Sequence, residues 1–234
     1  LASNVTATTE NLMRATVLGN TLSNNVSGGI ISNQFGPNHT PPALPGVQDN
    51  NRLFLTVGGT ATSDNNVINA NGDAGIGVRV TGNSSAVVNL TNTTVTGTVD
   101  GPDSELDGDG INLRREDSSL LTASLNRVTS TGNAGDGIQV DTQGNDRTDP
   151  NQPSPGTPNT VTITDSNFSN NGANGAFFRT RGDSTLISDI TLSTFSTNTQ
   201  NGILVQTSEN SSFGDPTIGA PPGRRSTFDG LFVD

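Results

Sequence analysis

Several residue types are missing from this chain or nearly so. Its 234 residues include no Cys, Trp, Tyr or Lys, and only one Met and one His. The lack of Cys excludes a disulfide framework. No apolar run approaches the roughly 20 residues that a membrane-spanning helix requires. The sequence does not start with a positively charged segment followed by an apolar stretch, so it predicts no signal peptide.

Positive charge is also scarce. All eleven basic residues are Arg, against 22 Asp and Glu, so the formal net charge is −11. Nucleic-acid binding and docking on an anionic membrane both require a basic surface, so neither partner is expected. Asn, Ser and Thr supply 85 residues, and this polar, acidic, Cys-free composition favours a secreted or cell-surface location.

Hydrophobic residues make up only 29% of the chain, so any core is thin. What the sequence does contain is a repeat, in which Gly is followed by an apolar residue, any residue and a second apolar residue. Its copies begin at Gly75, Gly110, Gly137, Gly175, Gly202 and Gly230, with a weaker one at Gly29. The successive spacings from Gly29 are 46, 35, 27, 38, 27 and 28 residues.

A second apolar pattern precedes each repeat glycine, as Val161, Ile163 and Phe168 precede Gly175. Its period of two predicts short strands with one buried face. A unit of about 27 residues cannot bury such a face alone, whereas stacked units with parallel strand pairing can. We therefore expect a continuous apolar stack formed by Ile76, Ile111, Ile138, Ile203 and Leu231.

An Asp or Asn stands directly before most of the repeat glycines. These residues are Asp109, Asp136, Asn174, Asn201 and Asp229. In stacked units their side chains are expected to lie above one another and form a ladder. Such a pair also favours a tight turn, so we expect the repeat glycines to adopt positive φ angles.

With these units the chain resembles the right-handed parallel β-helix proteins of the pectin-lyase-like superfamily, over residues 12–234. In character it is similar to adhesin and autotransporter-passenger β-helices. The resemblance implies an all-β fold, a right-handed parallel β-helix (solenoid) of about six to seven coils with protruding loops. Segment 1–11 precedes this single domain, and loop insertions are expected near 36–51, 97–108, 143–159 and 211–225.

One of these loops carries a candidate metal site. Asp103, Glu105, Asp107 and Asp109 alternate with spacers and small residues. Ca²⁺ prefers six to eight oxygen ligands from carboxylates and carbonyls, which makes these residues candidate calcium ligands. A solvated acidic turn explains the same composition. No cofactor is required by the sequence.

Arg114 and Arg115 follow this loop closely. In the superfamily's lyases a basic residue acts beside a calcium cluster, so the resemblance implies a polysaccharide-binding or polysaccharide-cleaving domain with Arg114 and Arg115 as binding residues. Against cleavage, the only His, His39, lies in a proline-rich segment, and aromatic Trp and Tyr platforms for sugars are absent. The tripeptide Arg181-Gly182-Asp183 matches an integrin-recognition motif, although a polar turn explains it equally well.

The leading functional expectation is a non-catalytic structural or adhesive module outside the cell, serving as a stalk or filament subunit. The last residues form a strand pattern in which Leu231 and Val233 are apolar. An open strand edge favours pairing, so we expect these residues to contact adjoining β-helix coils or another copy of the chain. Surface glycans and ligands on host or neighbouring cells are the other expected partners.

Overall fold

The computed structural model describes residues 12–35, 51–82, 84–101, 108–144, 158–209, 211–218, 227–228 and 231–233. Within these ranges the chain forms β-strands and one 3₁₀ turn at Thr62–Asp64, without an α-helix. No helix in this part of the chain is long and apolar enough to cross a membrane. The strands are, in chain order, β1 (Leu12–Val17), β2 (Thr21–Ser23), β3 (Ile30–Phe35), β4 (Arg52–Val57), β5 (Asn66–Asn69), β6 (Ala74–Thr81), β7 (Ser85–Thr91), β8 (Thr93–Thr96), β9 (Asp109–Arg115), β10 (Leu120–Asn126), β11 (Thr129–Thr131), β12 (Ile138–Gln143), β13 (Asn159–Thr164), β14 (Ala176–Arg181), β15 (Thr185–Thr191), β16 (Thr194–Phe195), β17 (Ile203–Thr207), β18 (Ser212–Ile218), β19 (Thr227–Phe228) and β20 (Leu231–Val233).

The strands form three parallel sheets, which the chain visits in turn. Sheet A contains β1, β4, β7, β10, β13, β15 and β18 in spatial order, and sheet C contains β3, β6, β9, β12, β14, β17 and β20. Sheet B contains β2, β5, β8 and β11, and single bridges at Asn167 link it to the pair β16–β19. This all-β architecture of short parallel strands confirms the predicted pairing of each strand with its copy, and it is consistent with a parallel β-helix.

Strict alternation explains how a chain so poor in apolar residues builds a core. In β4 the side chains of Leu53, Leu55 and Val57 are buried, whereas Phe54 and Thr56 face outward. Because successive strand residues point to opposite faces, only every second residue has to be apolar. The three sheets turn these alternate residues toward one common core.

The register of sheet C confirms the predicted apolar stack. Ile76 pairs with Ile111, and Ile111 pairs with Ile138. Through Ala176 the same position continues to Ile203, whose backbone pairs with that of Leu231. The four isoleucines are at most 1% exposed, so the repeat marks one continuous line of core residues.

The prediction that the repeat glycines adopt positive φ angles is wrong. The described glycines with positive φ include Gly58 and Gly182, but not Gly75, Gly110, Gly137 or Gly175. Glycine occupies the repeat positions because the neighbouring unit approaches too closely for a side chain. A Cβ on Gly137 would lie 2.6 Å from the carbonyl oxygen of Gly175, and one on Gly175 would lie 2.6 Å from that of Gly202.

We expect Gly175→Ala to lower the free energy of unfolding by about 1–3 kcal/mol, since the methyl group has to push two strands apart. Urea denaturation measures this. Gly175→Val should cost more than Gly175→Ala, because the obstruction grows with side-chain size. Strand preference alone favours Val over Ala. A smaller loss for Val than for Ala would therefore contradict the steric explanation.

The predicted ladder before the repeat glycines is present from Asp109 to Asn201, and its last predicted member, Asp229, lies outside the described residues. Asp109 Oδ1 accepts a hydrogen bond from the Asp136 backbone N–H at 2.7 Å, and Asp136 Oδ1 accepts from the Asn174 backbone N–H at 2.7 Å. Asn174 Oδ1 in turn accepts from Asn201 Nδ2 at 2.9 Å. Each side chain thus accepts a hydrogen bond from a backbone N–H of the neighbouring unit, which adds to the backbone hydrogen bonds that link the units just before the strands of sheet C.

A second ladder, which we did not predict, lies four residues before the glycines. Asn25 donates to Asn71 Oδ1 at 2.8 Å, and Asn133 donates to Asn171 Oδ1 at 3.0 Å. Asn171 donates in turn to Asn198 Oδ1 at 3.1 Å. Among the described members of this ladder, Asn71, Asn133 and Asn171 are buried.

One predicted loop is a strand over most of its described length. Within 211–225, where we expected a protruding loop, residues Ser212–Ile218 form β18 and pair with β15. Phe213 packs against the core, with its ring centroid 5.5 Å from that of Phe178. The turn-forming residues that suggested a loop are accommodated by a register irregularity between Ile187 and Asp189.

Candidate functional site on the outer face of sheet C

The outer face of sheet C carries an unusual concentration of charge. Its outward positions alternate with the core residues of β6, β9, β12, β14 and β17. One line across these strands joins Arg79, Arg114, Asp141, Arg179 and Gln206 through direct register partners. Each of these residues stands four positions after a repeat glycine. The repeat therefore places four charged side chains in one line.

The first group of charges, the Glu116 cluster, comprises Arg79, Arg114 and Glu116. Arg79 Nη2 lies 3.0 Å from Glu116 Oε1, and Arg114 Nε lies 2.6 Å from the same oxygen. The Glu116 side chain is 13% exposed, whereas those of Arg79 and Arg114 are 35% and 21% exposed. The carboxylate is thus covered and the two guanidinium groups reach toward the surface.

The second group, the Asp141 cluster, repeats this arrangement. Arg179 Nη2 and Arg181 Nη2 lie 2.6 Å and 2.8 Å from Asp141 Oδ2. The Asp141 side chain is 2% exposed, whereas the two arginines are each about one third exposed, at 34% and 32%. Asp141 Oδ1 is buried and has no hydrogen-bond partner within the described part of the chain. Two guanidinium groups therefore contact one carboxylate oxygen, and the other oxygen accepts no hydrogen bond from the described residues.

The Asp141 cluster carries a local surplus of positive charge. Among the described residues its two guanidinium groups contact one carboxylate, which leaves +1 in this cluster on a chain whose net charge is −11. Arg groups present fixed, planar sets of donors suited to carboxylate, sulfate and phosphate oxygens. The face can therefore attract an anion although the chain as a whole repels one.

An apolar patch formed by Phe177 and Leu204 adjoins the Asp141 cluster. Phe177 pairs with Leu204 in the next strand, and both side chains are half-buried on the outer face. The guanidinium carbon of Arg179 lies 5.6 Å from the centre of the Phe177 ring. On the other side Phe177 pairs with Gln139, whose register partner is Asn112. Aromatic, cationic and amide side chains thus lie side by side.

Arg115 has a different location from Arg114. It is 2% exposed, and it donates to the backbone carbonyl oxygens of Ser119 at 2.6 Å and Gln143 at 2.9 Å. Burial lowers the pKa of Arg115 to about 10, against a smaller raising effect of Asp117, so the group stays charged at neutral pH. Its contacts stabilise the bend after β9. We therefore base the candidate site on Arg114, and binding by Arg115 stays a prediction.

Three of the four predicted calcium ligands, Asp103, Glu105 and Asp107, lie outside the described residues. The fourth, Asp109, is buried and accepts hydrogen bonds from the Asp136 backbone and from Asn112 Nδ2. Within the ranges that the structure describes, no group of three or more His, Cys, Asp or Glu is suited to a metal ion. Calcium binding stays a prediction.

The tripeptide Arg181-Gly182-Asp183 occupies the bend between β14 and β15, where Gly182 has φ +65°. Because Arg181 pairs with Asp141, its guanidinium belongs to the Asp141 cluster. The predicted assembly residues Leu231 and Val233 lie in β20, whose backbone pairs with β17.

Sequence reasoning missed Glu116, Asp141, Arg179 and Phe177 as site residues. The signal that could have found Asp141 and Arg179 is their shared position after the repeat glycine. No family model, no curated protein and no solved structure matches this chain.

Proposed function

We propose that the chain is an extracellular or cell-surface structural and adhesive module, folded as a right-handed parallel β-helix of about six to seven coils. The observation that carries this proposal is the unbroken stacking of sheets A and C, each with seven parallel strands over one core. At about 4.8 Å per strand, seven strands span about 30 Å along the stack. Backbone pairing and side-chain ladders run along this direction.

Such a module acts mechanically. The hydrogen bonds of the sheets and of the two side-chain ladders resist bending, while the exposed outward side chains remain available for contacts. The net charge of −11 favours solubility in the absence of a partner. In the proposed role the module is attached and presents a surface for binding. The role does not require the module to catalyse a reaction.

Two measurements test this role. Antibodies against the chain should label intact, non-permeabilised producer cells, and labelling only after permeabilisation would contradict an extracellular role. Incubation with uronic-acid polymers, with and without Ca²⁺, should release no products. Release that is lost in Arg114→Ala would instead favour the alternative, a polysaccharide-cleaving domain.

Filament formation is a second candidate, supported by the first described unit. Among the described residues β1 pairs only with β4, and β3 pairs only with β6. Large apolar side chains are exposed in the same unit, including Leu18 at 44% and Val26 at 82%. A further unit from another copy can continue these ladders, and a contact that does not close produces a filament.

We expect Val26→Asp and Leu231→Asp to abolish filaments seen by negative-stain electron microscopy, because each places a charge at an end of the described stack. Ile187→Asp is the matched control, since Ile187 is exposed on sheet A between two paired strands. Filaments that persist in both end variants, or short isolated rods for the unmodified chain, contradict end-to-end assembly.

A further inference from the structure

We propose that two copies of this chain pair face to face through the outer surface of sheet A, with their stacks running in opposite directions. This surface, the sheet A face, consists of the outward side chains of β1, β4, β7, β10, β13, β15 and β18. The pairing goes beyond the adhesive role and uses none of the end-to-end contacts of a filament. The two modes of assembly can therefore fail independently.

The centre of the sheet A face carries no charge. In β7, β10 and β13 every outward side chain is Ser, Thr, Asn, Val or Leu. The centre of a protein interface is commonly depleted of charge, because burying an unpaired charge is costly. The three central strands thus have the composition expected of the middle of a contact surface.

Apolar side chains form a row across the sheet A face. Ile187 is 36% exposed, and Phe54 and Val87 are half-buried. Register partners connect Phe54 to Val87 and onward through Thr122 and Thr160 to Ile187. The row therefore has an apolar group toward each end, two strands away from β10 in either direction.

Opposite charges lie toward the two ends of the sheet A face. Arg14 in β1 and Arg52 in β4 are exposed, and their guanidinium carbons lie 4.4 Å and 5.8 Å from the centre of the Phe54 ring. Asp189 in β15 is exposed toward the other end. Within the described ranges none of these three charged residues forms an ion pair. Each can therefore pair with a charged group of a partner.

A two-fold axis that runs parallel to the strands at β10 makes these features complementary. It places β4 over β15 of the other copy, so that Phe54 faces Ile187 of the partner subunit. Arg14, which lies over the Phe54 ring, then comes close to Asp189 of the partner subunit. The axis repeats both contacts and closes the assembly at two copies. An axis parallel to the stack would instead bring the arginines of both copies to the same end, where they repel each other.

The size of the sheet A face fits a reversible dimer. It has seven strands, each of six or seven residues. At about 4.8 Å per strand and about 3.3 Å per residue, the face measures about 30 by 20 Å. Two such faces bury about 1,200 Å² in total, which is at the lower end of the range for specific interfaces. We therefore expect a dissociation constant in the micromolar range.

Sedimentation velocity of the purified full chain at increasing concentrations tests the dimer. We expect Asp189→Arg to weaken dimerisation at least about tenfold, because it replaces two ion pairs by two repulsive contacts. Adding Arg14→Asp reverses the second partner of each pair and should restore the dissociation constant to within about threefold of the original. Asp100→Arg is the matched control, since it makes the same change of charge at an exposed position between sheets B and C.

The apolar contact is tested separately from the ion pairs. Ile187→Asp should weaken the dimer at least about tenfold while leaving end-to-end filaments intact, because Ile187 lies on the sheet A face. Val26→Asp should have the reverse effect, so repeating the sedimentation series in that variant removes any contribution of filaments. Circular dichroism checks that each variant is folded.

Weakening by Asp189→Arg together with recovery on adding Arg14→Asp supports the proposed pairing. Weakening without recovery contradicts the opposed arrangement of the two stacks and overturns the proposal. Dimerisation that Asp189→Arg and Ile187→Asp leave unchanged also overturns it, because the contact then lies elsewhere. The same conclusion follows if the unmodified chain sediments as a monomer up to its solubility limit.

Discussion

Replacing Phe168 with Ala should lower the free energy of unfolding by about 3–5 kcal/mol. Phe168 is fully buried, and its ring stacks on that of Phe195 with the centroids 5.3 Å apart and the planes within 11°. The substitution removes apolar contacts and leaves a cavity that the fixed spacing of parallel strands cannot close. Urea denaturation followed by circular dichroism measures the loss.

Phe177→Ala is the matched control for Phe168→Ala. Both residues are phenylalanines, but Phe177 lies half-buried on the outer face of sheet C. We expect it to cost about 1 kcal/mol, near the average for single substitutions, because Phe177 is only half-buried. Equal losses for the two variants would contradict the assignment of Phe168 to the core and of Phe177 to the surface.

Asn171→Ala should lower the free energy of unfolding by about 2–4 kcal/mol, because it leaves several buried polar groups without partners. Asn171 Oδ1 accepts from the backbone N–H of Asn133 at 3.2 Å and from its Nδ2 at 3.0 Å. Asn171 Nδ2 donates to the backbone oxygen of Ser130 at 3.1 Å and to Asn198 Oδ1.

The control for Asn171→Ala is Asn126→Ala, which changes the same residue type at an exposed position at the end of β10. A change within about 0.5 kcal/mol is expected there. If Asn171→Ala costs no more than Asn126→Ala, the buried ladder contributes nothing to stability. The rigidity proposed for the module then has to come from strand pairing alone.

Much of the fold could be predicted because the local pattern and the tertiary contacts agree. The alternation around Ile111 and Ile138 both favours a strand and identifies its buried face. The glycine before each strand marks the same position in every unit, so the stack of isoleucines could be aligned without a structure. The Asp109–Asp136–Asn174 ladder followed from the same alignment.

Other features could not be read from local patterns. Gly137 and Gly175 suggested positive φ angles because turns are the commonest reason for an Asp-Gly or Asn-Gly pair. Glycine occupies these positions because a carbonyl oxygen of the neighbouring unit lies too close for a side chain. That oxygen belongs to a residue 27 to 38 positions away in the chain. Likewise, β18 forms where turn-forming residues predicted a loop, since pairing with β15 outweighs local preference.

The candidate site depends most on tertiary structure. Asp141 and Arg179 are 38 residues apart, yet direct register partners in sheet C. Arg115 appeared equivalent to Arg114, whereas alternation turns one inward and the other outward.

The sequence by itself determined the strands that flank the repeated glycines, their buried faces and the stack of units, because these follow from a period of two anchored at those glycines. Only the tertiary structure decided which polar residues meet, because insertions of unequal length separate the units along the chain. Parallel pairing removes those differences in spacing and brings the charges of Arg79, Arg114, Asp141 and Arg179 into one line.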